Sequence, residues 1–185
     1  MSLRALQFFF LASALSFGAP LHAISSDGQT NGISFVDVDG HALSTADGHI
    51  TVLVLTTTAD SAKVRAVGDR IPDYCLGKPD YRMVTVIHFK RKHSAAGRMV
   101  ATVLIRHRLD GEAKRLQARY DAKKIAQNAR HEIFAVADFD GMVSSQLGMQ
   151  PGSVDFRVFV FGRKGELLRQ WDDVPSTSDL AAVLK

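Results

Sequence analysis

The chain has 185 residues, with 23 lysines and arginines against 19 aspartates and glutamates, a formal net charge of +4, and one cysteine, Cys75. A single thiol excludes an internal disulfide, a CxxC redox pair and a metal–thiolate cluster. The charge excess is mild, so its distribution along the chain matters more than its total.

The first 23 residues have the make-up of an export signal. Arg4 supplies a positive start, Ala5 to Phe17 is apolar around Phe8-Phe9-Phe10, and Gly18-Ala19-Pro20-Leu21-His22-Ala23 offers small residues for cleavage after Ala23. The apolar run falls short of the ~20 residues that span a bilayer, so a periplasmic or secreted product with no permanent span after cleavage is expected. Leu21 is large for its place before the cut, which leaves retention as an uncleaved anchor as the alternative. Residues 24–32 are polar and glycine-containing, a flexible lead-in. Residues 33–185 have the size of one domain.

Ile33 to Ser44 reads as a hairpin turning at Asp39-Gly40, and Ile50 to Thr56 as a strand buried on both faces. A helix is predicted from Ser61 to Ile71, with Val64, Val67 and Ile71 inward, Asp60 or Ser61 as its cap, and Pro72 as its stop. Met83 to Phe89 is a second buried strand. A long helical region then starts at Ser94 and reaches about Asn128, and Asp110-Gly111 is expected to interrupt or bend it, because glycine costs ~1 kcal/mol inside a helix. Its second half carries Ala113, Leu116 and Tyr120 on one face. Ile133 to Ala137 is a short strand, and Asp140 to Leu147 a short helix closed by Gly148. Phe156 to Phe161 and Leu167 to Trp171 form an antiparallel hairpin, and Ser176 with Asp179 makes a capping box for a last helix.

Strands alternating with helices imply a mixed sheet with helices on both faces. That order, with three local patterns, resembles the thioredoxin-like superfamily and most closely its exported redoxin group, which includes periplasmic thiol–disulfide proteins. The patterns are Phe35 to Ser44, similar to the hairpin that opens those domains; Ile50 to Arg65, on the strand and helix that normally hold the active-site cysteines; and Val160 to Leu167 with the capped terminal helix, similar to the family's closing elements. The resemblance implies a three-layer α/β/α sandwich with a mixed central sheet, an N-terminal β-hairpin and a C-terminal β-hairpin plus helix. It places Ser61 near the nucleophilic cysteine, Val64 near the resolving one, and Asp155 or Phe156 near the cis-proline of the substrate-binding edge. None of these positions carries the family's residue. Dithiol exchange needs a thiolate and a second, resolving thiol, so the resemblance implies a domain without that chemistry, acting as a binding or accessory module.

Thr57, Thr58, Asp60 and Ser61 are the candidate ligand-binding residues, since a helix N-terminus attracts an anion or a thiol compound; Asp155 and Phe156 join them by the resemblance. The competing reading is that Asp60 or Ser61 caps the helix. Cys75 and Ser61 are the catalytic candidates of a second hypothesis, a thiol-dependent antioxidant or oxidoreductase working through Cys75 or through a thiol ligand held at Ser61. Arg70 and Lys78 are near enough in sequence to lower the pKa of Cys75, whereas a lone cysteine otherwise serves as a small buried hydrophobe.

Between Lys90 and Arg130 there are twelve lysines and arginines against three acids, a basic segment suited to a protein partner or an anionic surface. The competing reading is a solvated helix face. Nucleic acid is not expected, because aromatic interleaving is missing. Asp37/Asp39 and Asp138/Asp140 read as turn chemistry rather than calcium loops, the histidines show no metal-ligand spacing, no serine–histidine–aspartate triad stands out, and no cofactor is implied.

Overall fold

The computed structural model describes residues 32–150 and 156–185. The predicted signal segment 1–23, the lead-in up to residue 31 and Asp155 lie outside the described residues. The hairpin β1 (Ser34–Val36) and β2 (Ala42–Ser44) pairs Phe35 with Leu43. The Asp37 carboxylate accepts the backbone N–H groups of Asp39 and His41 at 2.9 and 2.7 Å, and Gly40 takes the left-handed conformation at φ +91° that the reversal requires.

Five strands form the main sheet. β3 (Ile50–Thr56), β4 (Tyr81–His88) and β5 (Ile133–Asp138) are parallel, β6 (Arg157–Phe161) and β7 (Leu167–Trp171) antiparallel, and the spatial order is β5-β4-β3-β6-β7. β3 lies at the centre, so an unbroken β-branched run is what its two covered faces select. Among the described residues four α-helices accompany the sheet: α1 (Ser61–Arg70), α2 (Ala95–Ala122), α3 (Met142–Gln146) and α4 (Thr177–Val183).

Alternation along the strands divides the core. Leu53 and Leu55 pack with Val84, Val86 and Val136 beneath the opening hairpin and α3. Val52 and Val54 point the other way, to Val67 of α1, Val158 and Val160, and Leu180 of α4. α2 joins that second face at two places, through Ile105 beside Ala135 and through Tyr120 beside Leu76 and Ala129. The result is a mixed sheet with helices on both faces, as the order of elements implied.

Two expectations are corrected. α2 runs unbroken through Asp110-Gly111 and ends at Ala122. The glycine's cost is offset because Ile105, Ala113 and Tyr120 anchor the helix on both sides of it, and Asp110 accepts from Arg130 Nε at 2.9 Å. The chain then leaves the helix through Lys124, at φ 58°. At α1, Asp60 occupies the cap position, but neither its side chain nor that of Ser61 caps the helix. The Asp60 carboxylate instead accepts from the Thr57 hydroxyl at 3.1 Å. By contrast, Ser94 caps α2 and the Ser176–Asp179 capping box forms at α4 as the sequence predicts.

Candidate functional site

The three parallel strands end along one edge of the sheet, at Thr56, His88 and Asp138, and the junction from β3 into α1 lies on that edge. Thr57 is half-buried and holds the Asp60 carboxylate; Thr58 and Ser61 are exposed. The Ser61 hydroxyl has no hydrogen-bond partner among the described residues. Val64, one turn along α1, packs against the core layer shared with α4. Phe156 is 2% exposed in that same layer, with Lys63 Nζ 5.2 Å from its ring centre, so it is a core residue under a cation.

Cys75 lies in a 3-10 turn, Asp73–Cys75, beyond the far end of α1. At 1.5 Å of rise per residue, α1 separates it from Ser61 by about 15 Å. Burial pushes the Cys75 thiol up to about 11, the direction opposite to an activated thiolate. The neighbouring Arg70 does not act on it as the sequence suggested, because its guanidinium donates to the carbonyls of Val174 and Pro175 at 3.1 and 2.8 Å. The structure therefore keeps the Cys75 thiol and the Ser61 hydroxyl about one helix length apart, although both line the same cavity.

That cavity, of about 640 Å³, lies between α1, α2 and the β4 face of the sheet. Met83, Thr85 and Ile87 form its floor, Leu109 and Leu116 its α2 wall, and Thr57, Thr58 and Ser61 one end. Polar contacts tie the two helices across it. Arg65 of α1 donates to Glu112 of α2, with Nε to Oε1 at 3.1 Å. Lower down, Arg119 donates to the Ile71 carbonyl at 3.1 Å and to Asp73 at 2.9 Å, and Lys123 reaches the same carboxylate. At the bottom, Tyr120 donates to Glu132 and accepts from the Gly77 N–H. No sequence signal marks this cavity: Met83 to Phe89 reads as a buried strand, and the half-buried state of Met83, Thr85 and Ile87 on one face of β4 appears only in the fold.

Five of the twelve cations of the basic segment pair with acids from elsewhere in the fold. Arg98 pairs with Asp140, Arg106 and Arg130 with Asp39, and Arg119 and Lys123 with Asp73. Arg91, Lys92, Arg108, Lys114 and Lys124 form no ion pair among the described residues.

Two further clusters resolve into structural roles. Asp37, Asp39 and His41 are close enough to share an ion, yet Asp37 is occupied by the His41 ring and two backbone N–H groups, and Asp39 by two arginines. The sequence also gave no sign that Ser144, His88 and Asp138 would meet. Asp138 accepts the Ser144 hydroxyl at 2.6 Å and the N–H groups of Val143 and Ser144, while His88 Nδ1 lies 3.1 Å from the hydroxyl. Ser144 is 1% exposed and directs its proton to the carboxylate, so the group secures the start of α3 rather than a nucleophile.

Among the described residues no helix is long and apolar enough to cross a membrane. No family model matches the chain, and no curated protein matches it. Solved structures do. An exposed lipoprotein thioredoxin, Etrx1, of Streptococcus pneumoniae superposes with a TM-score of 0.50 at 13% identity, over 83% of this chain and 97% of its own. StoA of Bacillus subtilis gives 0.50 at 13% identity, over 83% and 96%. A Neisseria meningitidis protein assigned as a thioredoxin gives 0.52 at 15% identity, over 83% and 85%. Likeness at this level of identity is likeness of architecture, and it agrees with the strand order and helix placement described above: the chain has the thioredoxin-like fold.

Proposed function

We propose that the chain is an exported thioredoxin-like binding or accessory module that does not carry out dithiol–disulfide exchange. One observation carries the reading. The strand-to-helix junction presents Thr57, Thr58, Asp60 and Ser61, and the only thiol of the chain is 3% exposed at the other end of α1. Exchange requires a thiolate at an accessible position and a second thiol to release the mixed disulfide. A serine hydroxyl, with its far higher pKa, supplies neither.

Export is supported by the apolar segment Ala5 to Phe17 behind Arg4, and by the similarity to a pneumococcal protein described as an exposed lipoprotein. Partner binding has two supports: the uncapped junction beside an open cavity, and the cations Arg91, Lys92, Arg108, Lys114 and Lys124, which have no ion pair among the described residues. The reading is tested by assaying the purified chain for insulin-disulfide reduction and for peroxide turnover with a dithiol as reductant. Rates equal to a protein-free control, unchanged in Cys75→Ala, are expected. Turnover that Cys75→Ser abolishes would establish the thiol-dependent enzyme instead.

A further inference from the structure

β4 is an interior strand with only one face packed in the usual way. Val84 and Val86 are fully buried on one side, while Met83, Thr85 and Ile87 on the other are only half-covered, although β3 and β5 flank the strand and helices pass above it. Protein interiors are normally close-packed, and exposed apolar surface costs about 25 cal/mol per Å². The gap above β4, about 640 Å³, is of the size of a small-molecule pocket. The Arg65–Glu112 pair joins α1 to α2 across it, and Arg119 of α2 reaches Asp73 in the turn that follows α1.

The polar groups around the cavity are unevenly distributed. Glu112 is neutralised by Arg65 and approached by Arg115 at 3.9 Å, Glu132 accepts from Tyr120, and Asp69 lies on α1 close to the Arg65 charge. Arg108 alone among the lining arginines of α2 has no ion pair among the described residues. Its position follows from helix geometry. Arg65 and Glu112 touch, and Ser61 and Arg108 each precede one of them by four residues, so both stand one turn above the pair on the facing sides of α1 and α2. The upper end of the cavity therefore combines the Arg108 guanidinium and the Ser61 hydroxyl, both without a partner among the described residues, with Thr58 and the positive end of a helix whose N-cap side chain makes no capping hydrogen bond. Asp60 is not part of the lining; its carboxylate is held by Thr57. One and two turns above Arg108, Leu104 and Val100 continue the same α2 face as an exposed apolar lip.

We infer that the cavity binds a single-headed amphipathic anion, an acyl or aryl chain ending in a carboxylate. The apolar body covers Met83, Ile87 and Leu109, and the head group meets Arg108 and the Ser61 end of α1. The inference rests on the reading of the chain as a binding module and gives that module a ligand class.

The test is fluorescence titration of the full chain with dansyl-undecanoic acid, followed by competition with undecanoic acid and with undecanol. Saturable binding at one site is expected, with the acid competing at least about tenfold better than the alcohol, the effect of one charge-assisted hydrogen bond. Arg108→Ala should remove most of that preference without altering competition by undecanol. Thr85→Trp, which fills the cavity from its floor, should abolish the probe signal while the far-ultraviolet circular dichroism stays that of the parent. If that variant does not fold, Gly111→Phe blocks the cavity from α2, at a position where an added Cβ meets nothing within 4 Å. No saturation with the parent chain, or undiminished binding in a folded, filled variant, would overturn the inference. A parent chain that neither binds the probe nor turns over disulfides loses the ligand class and keeps the binding-module reading. Disulfide turnover removes that reading whatever the probe does.

Discussion

Arg65 and Glu112, separated by 47 residues in sequence, form a two-pronged ion pair from α1 to α2, with Arg65 Nε 3.1 and 3.2 Å from the two carboxylate oxygens. The pair spans the opening above β4, and both side chains remain partly in water. Its role is therefore to fix the spacing of two helices. Exposed pairs add little net stability, because water already solvates both charges well. Glu112→Gln is expected to shift the melting temperature by less than about 3 °C, while amide exchange in the first turns of α1 and the middle of α2 speeds up. A large loss of melting temperature with unchanged exchange would contradict this.

Gly111 sits inside α2 with open space where a Cβ would stand. Replacing it with alanine removes backbone freedom from the unfolded chain and introduces no clash, so Gly111→Ala should stabilise the protein by about 0.5–1 kcal/mol. Urea denaturation measures it; a destabilised variant would mean that the helix is not continuous there.

Asp47 couples acid stability to the junction between the hairpin and the sheet. Burial alone would raise its pKa, but hydrogen bonds from Arg82 and His49, with Ser44 N–H, outweigh it and lower the carboxyl from 3.8 to about 2. Between those values the unfolded chain binds the proton and the folded chain does not. The contribution of Asp47 is thus complete above about pH 4 and is lost as pH falls toward 2. Arg82→Gln should return the Asp47 titration toward its ordinary range, read by carbon-detected NMR, and flatten the acid limb of stability. A titration unchanged by the substitution would remove Arg82 as the cause.

Cys75 should resist iodoacetamide at pH 8 in the folded protein and react within minutes in urea, because its thiol is buried and its pKa is pushed up to about 11. Fast labelling of the native chain would show that the turn at Asp73–Cys75 opens readily.

Much of the scaffold was legible in the chain, and for identifiable reasons. β3 matches its predicted limits, Ile50 to Thr56, because a central strand needs apolar residues on both faces. The α4 start was readable because a capping box is local chemistry. Asp110-Gly111 misled because a glycine's cost is local while the contacts that offset it, Ile105 to Ala135 and Tyr120 to Leu76, are not. Asp60 misled for the same reason on a smaller scale: the Thr57 hydroxyl competes for its carboxylate.

The candidate site divides along the same line. The amino-acid order alone shows that the junction after β3 has no thiol, that the chain has one cysteine, and that strands and helices alternate as in a thioredoxin-like sandwich. Those are properties of composition and of short periodic patterns. The packing of the elements sets the rest: Cys75 is buried beyond the far end of α1, Asp39, Asp73 and Asp140 pair with five of the twelve cations of the basic segment, and a cavity opens above β4. Each of these depends on the distance between residues tens of positions apart, and that distance is fixed by how α1 and α2 settle on the sheet, not by any pattern within either helix.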